Sequence, residues 1–203
     1  ETKKLIHYVK FRKTNLIEKG KEDDLDRLKK TINSIDDINI KCEYREVFQI
    51  FSRGYFDVED ERNLMYILKR LKAIELKKTK DTEVVGTIMD ILVKIRIMLE
   101  RIFIVLNRYD ENVIPVKFVV NQYDQAEVQC RANFRYLVDR EIIDKDLVID
   151  KFNLLIYSLA CNEGAHAKMV RSKYLPTRFT AQAFVLMLFD VLLWADGLMT
   201  GND

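Results

Sequence analysis

Residues 83–107 read EVVGTIMDILVKIRIMLERIFIVLN. Apolar side chains recur at Ile88, Ile91, Ile95, Met98, Ile102 and Val105, three and four residues apart. That period predicts one long α-helix. Val84, Leu92, Leu99 and Leu106 widen the stripe. A face this broad packs against at least two partners, so the stretch predicts the central helix of a bundle. The rest of the chain agrees. Its 203 residues hold six glycines and two prolines, Pro115 and Pro176. So few turn formers exclude a sandwich or barrel, which needs a turn every ten residues or so. The expectation is an all-α helical bundle.

Working outward, Leu64, Ile67, Leu68, Leu71 and Ile74 mark a helix just before the central one. Asp57 is placed to cap its N-terminus, with Asp60 where a capping box normally has Glu or Gln. Further upstream, residues 1–35 are charge-dense and read as two short helices separated by Gly20, with Asp36-Asp37 breaking the pattern. A separate amphipathic helix is expected over 42–56, with Tyr44, Val47, Phe48 and Phe51 on one face. Downstream, residues 110–120 read as a loop with a short extended piece. Helices are expected from Ala126 to about Arg140, and from near Asp146 to Asn162. The final apolar run, residues 181–199, approaches a membrane span in length. Asp190 lies in its middle, Asp196 near its end, and no basic cluster follows, so it reads as a buried bundle helix. Thr177 or Thr180 can cap it. The polar run after Glu75 suggests a boundary, with 1–80 as a charged helical region and 82–203 as a helical bundle.

Hydrophobic residues make up 48% and charged residues 33%, a folded rather than a disordered balance. Net charge is +2, so any site for a polyanion must be local. Cys42, Cys130 and Cys161 are odd in number and widely spaced, which predicts neither a disulfide framework nor a zinc site, and fits a reducing, cytoplasmic setting. No GxGxxG, Walker loop or HExxH is present, so no cofactor or metal is expected.

Four elements of the second half, in order, resemble HEPN-like domains of bacterial restriction and phage-defence proteins. They are Arg96-Ile97-Met98-Leu99-Glu100; the LVDREII element of residues 137–143; Asn162-Glu163-Gly164-Ala165-His166; and Pro176-Thr177 ahead of TAQAF at 180–184. The resemblance spans about residues 82–200. It implies a helical bundle that pairs as a two-fold dimer. Catalytic members are metal-independent RNases, in which an arginine stands four to six residues before a histidine. Histidine moves the proton and arginine stabilises charge on the phosphate.

His166 matches the histidine and Asn162 the polar residue of that motif. The arginine's place holds Cys161, and no arginine occurs between Arg140 and Arg171. A thiol cannot replace a forked, permanent cation. The resemblance therefore implies a non-catalytic module of a bacterial stress or phage-defence protein. It would serve recognition or dimerisation, with a second copy, RNA or another subunit of a defence system as partner, and no membrane. An RNase using His166, Asn162 and Arg171 is the alternative, and a structural bundle docking a partner domain is a third.

The bland readings stand beside these. His166 can cap a helix end, with Gly164 as the left-handed residue. Lys168, Arg171, Lys173, Tyr174 and Arg178 form a basic loop that either contacts RNA or a partner, or is simply solvated. Arg96 and Glu100 lie one turn apart and can pair. Asp190 looks buried, and a buried carboxylate needs a partner, for which Arg96 or His166 are the candidates.

Overall fold

The computed structural model describes residues 22–75, 82–121, 123, 125, 127–143, 149–156 and 176–201. The described chain is all-α. Its helices are α1 (Glu22–Glu43), α2 (Arg45–Ser52), α3 (Val58–Glu75), α4 (Thr82–Tyr109), α5 (Cys130–Asp139), α6 (Ile149–Leu154) and α7 (Arg178–Thr200). A 3-10 turn, Val116–Phe118, lies between α4 and α5.

Two compact units result, residues 1–45 and 46–203. In the first, α1 carries Leu28, Ile32 and Ile35 half-exposed on one stripe. Asp36-Asp37 does not end this helix. Aspartate is a weak helix former rather than a breaker, costing roughly 0.5 kcal/mol relative to alanine. Residues 46–75 lie in the same compact unit as 82–201, where α3 packs along α4.

In the second unit α4 is the axis. It packs against α3 on one side and α7 on the other, and α3 also meets α7. All ten apolar positions of the 83–107 stripe are buried, as are Leu64, Ile67, Leu68, Leu71 and Ile74 of α3. The helix expected over 42–56 is shorter. After Ser52 the chain turns on Gly54 at φ 83°, a left-handed conformation that suits glycine. Phe48, Phe51 and Phe56 then stack in sequence, with centroids 6.2 and 5.3 Å apart.

The cap of α3 follows the sequence expectation. Asp57 Oδ1 accepts from the backbone N–H groups of Glu59 and Asp60, and the Asp57 N–H donates to Asp60 Oδ2. Helix α7 begins on a capping box of two threonines, Thr177 and Thr180, and ends on Gly201 in the left-handed region. By length and composition α7 could cross a membrane, and half of its apolar window is buried in the bundle.

Helix α5 starts at Cys130, four residues later than its pattern suggests. Residues 127–129 are instead drawn into extended pairing, Glu127 N–H to Val119 O at 3.0 Å and Gln129 N–H to Phe118 O at 2.8 Å. The α4–α5 connection is fixed from both ends. Asn107 donates to Ile114 O, and fully buried Asn133 donates to Phe118 O. Helix α6 is held by Phe152, whose ring meets Phe103 of α4, Phe134 of α5 and Trp194 of α7 at 5.7, 6.1 and 5.2 Å.

Candidate functional site

Three helices enclose a groove of about 380 Å³. Helix α4 supplies Arg96 and Leu99, the start of α5 supplies Cys130, Arg131 and Arg135, and the residues directly after α6 supply Leu155 and Ile156. Leu99, Leu155 and Ile156 are buried and form the floor. Arg131 and Arg135 are exposed, one turn apart on α5, so both project from the same face. Arg96 faces them from α4, and its Nε lies 3.0 Å from Glu100 Oε1. The N-terminus of α5 opens here with no side-chain cap from Gln129, which adds the partial positive charge of the helix end.

Cys130 is half-buried at this groove. Burial and the Glu100 carboxylate push its thiol up to about 12, against a smaller opposite pull from Arg96. It is therefore a neutral thiol at physiological pH and no nucleophile. Cys130 and Cys42 are both free thiols. Among the described residues, no cluster of His, Cys, Asp or Glu is placed to hold a metal ion.

A second, shallower hollow of about 590 Å³ adjoins the first. Gln129 lines both. Lys117, Asn121, Tyr123 and Glu127 line the second one alone.

The expected site residues are only partly brought together. Arg96 lines the groove, and Glu100 pairs with it while half-exposed. Asp190 is not buried, and Arg96 pairs with Glu100 rather than with it. The Asp190 side chain is 43% exposed and pairs with Lys151 Nζ at 2.7 Å. The reason is helical register. Asp190 falls between exposed Leu186 and Leu193 on the outer row of α7. The buried acid of this helix is Asp196, 3.0 Å from Arg53 Nε. Arg178 sits in the first turn of α7 with its guanidinium 4.7 Å from the Phe179 ring. Asn162, His166, Lys168, Arg171, Lys173 and Tyr174 lie outside the described residues, as does Cys161.

Sequence reading missed Arg131 and Arg135. Their signal was an RxxxR pair one turn apart, on the side of a predicted helix away from Leu137. It missed Arg101 as well, which directly follows the quoted Arg96–Glu100 element.

Compared with known proteins, the chain matches no family model, no curated protein sequence and no solved structure.

Proposed function

We propose that this chain is a HEPN-like, non-catalytic recognition module that binds RNA through the arginine-lined groove. The observation that carries the reading is the convergence of Arg96, Arg131 and Arg135 on one cavity at a helix N-terminus. Guanidinium groups match phosphate geometry, and a helix N-terminus favours anions. A chain with net charge +2 has no general attraction for polyanions, so a local cluster of this kind is the place to expect one. The groove also lies at the end of α6, beyond which the sequence runs directly into the stretch bearing Asn162 and His166. The all-helical bundle with a long axial helix accords with the resemblance. Cysteine at position 161, where the motif needs arginine, supports recognition without cleavage.

The test is fluorescence anisotropy with a labelled mixed-sequence RNA across a salt series. Replacing Arg131 and Arg135 by alanine should weaken binding at least tenfold. It should also flatten the slope of log K against log salt by about 1.4, two lost phosphate contacts at about 0.7 each. Unchanged affinity in the double variant overturns the reading. The same RNA should stay intact in EDTA. Cleavage that disappears in His166→Ala would put the metal-independent RNase in its place. Cys161→Arg, which rebuilds the arginine–histidine spacing, should confer His166-dependent cleavage if the catalytic groove of the family persists.

The proposed partner of the module is a second copy of the chain. Light scattering should give twice the 24.1 kDa chain mass. Glutamate at Leu186, on the exposed row of α7, reports whether that face takes part.

A further inference from the structure

From the way the two hollows meet at Gln129, we infer that the second hollow is a base-reading subsite, with Tyr123 as the stacking platform and Glu127 as the acceptor that selects bases bearing an amino group. This rests on the proposed RNA reading and goes beyond it. The arginine groove explains attraction to phosphates, and phosphate contacts carry no sequence information. Among the described residues, no aromatic side chain lines that groove. The adjoining hollow has the opposite character. Its described lining holds one cation, Lys117, a carboxylate, Glu127, and two amides, Asn121 and Gln129. A carboxylate repels phosphate but accepts hydrogen bonds from a base amino group, as with cytosine N4. Tyr123 is 72% exposed, an unusual place for a large ring that supports nothing in the core.

The platform is also preorganised. The Asn121 side-chain oxygen accepts from the Tyr123 N–H at 2.9 Å and from the Gln125 N–H at 3.0 Å. The Asn121 N–H closes the turn on Gln125 O at 2.9 Å. Glu127 and Gln129 are two apart on the extended piece, so their side chains share a face, and their N–H groups are pinned to Val119 O and Phe118 O. A strand laid along both hollows would place phosphates beside the arginines and an unstacked base on Tyr123. In a duplex the faces of each base are stacked on its neighbours, so the subsite takes single strands.

The experiment compares wild type, Tyr123→Ala, Tyr123→Phe and Glu127→Gln by anisotropy with labelled oligocytidine, oligouridine and a mixed-sequence duplex. The expected result is preference for the single strands over the duplex, and for oligocytidine over oligouridine. Tyr123→Ala should weaken single-strand binding roughly tenfold, in line with one lost base stack, and Tyr123→Phe should restore it. Glu127→Gln should erase the preference for oligocytidine without weakening oligouridine. An unchanged melting curve for Tyr123→Ala excludes unfolding as the cause. If RNA binding depends on Arg131 and Arg135 but ignores Tyr123 and Glu127, this inference fails while the groove reading stands. If the wild type binds none of the three probes, both fail.

Discussion

Arg101 of α4 holds Asp60 of α3 with both arms of its guanidinium, Nε 2.8 Å from Oδ1 and Nη2 2.9 Å from Oδ2. The same Nη2 reaches Asp57 Oδ2 at 2.8 Å. The two aspartates are the capping box of α3, so one side chain ties the start of that helix to the middle of its neighbour. The Asp60 side chain is 3% exposed, and the Arg101 side chain 20%. The hydrogen bonds from Arg101 to Asp60 raise the guanidinium's pKa despite its burial, so it stays charged.

Removing this arginine should therefore be severe. Arg101→Met leaves a buried carboxylate with no cation, a loss of about 3–5 kcal/mol for a buried pair broken from one side. Urea denaturation measures it. Arg101→Lys should recover only part, because an ammonium cannot fork across two oxygens. A loss under 1 kcal/mol for Arg101→Met would mean that water already screens the pair.

The same knot sets an acid limb on stability. Burial raises the Asp57 pKa, but the Asp60 backbone N–H, the Arg101 charge and the Glu59 N–H together lower it below the ordinary 3.8. A depressed carboxylate stabilises the fold above its unfolded pKa, and that stabilisation disappears as pH falls through the folded value. The wild type should hold this increment at neutral pH and shed it below about pH 4. In Arg101→Met the acid limb should be shallower, because the charge that lowers Asp57 is gone. Parallel acid limbs in the two proteins would show that Asp57 gains nothing from Arg101.

Thiol reactivity should separate the described cysteines. Cys42 is exposed, whereas Cys130 has its thiol pushed up to about 12. Limited iodoacetamide treatment at pH 7.5 with peptide mapping should label Cys42 well ahead of Cys130. Equal labelling would refute the shielded thiol. Protection of Cys130 by added RNA would place the ligand over the groove.

Phe152 should prove one of the costliest single truncations. Its fully buried ring touches aromatic residues on three other helices. Phe152→Ala should lose about 3–5 kcal/mol by deleting transfer energy and leaving a cavity. Thermal and chemical denaturation both test this.

The bundle was legible in the sequence because burial has a period. Every apolar position of 83–107 named from spacing alone is buried, and so is each of the five on α3. Local chemistry was legible too, as in the Asp57–Asp60 capping box and in Thr177, one of the two caps offered for α7. What escaped was rotational phase. Asp190 and Asp196 both stand in an apolar run, and the run does not say which one faces inward. Six residues are 600° along a helix at 100° each, so the two cannot share a face. Groove residues escaped for a different reason. Arg96 and Arg131 are far apart in sequence, and only the packing of α5 beside α4 brings them together. The start of α5 was misplaced because the pairing of Glu127 and Gln129 with the preceding loop is a non-local contact that helical spacing does not encode.

The aromatic contact centred on Phe152 has an effect at a distance. Helix α6 leads from Phe152 into the groove floor at Leu155 and Ile156. Should α6 detach, one wall of the groove departs with it. Occupancy of the groove and closure of the aromatic contact are then thermodynamically linked. A ligand at a hundred times its dissociation constant would add about 2.7 kcal/mol to the folded state. A variant loosened at Phe152 would bind more weakly while keeping all three arginines, because part of the binding free energy would go into reseating a helix.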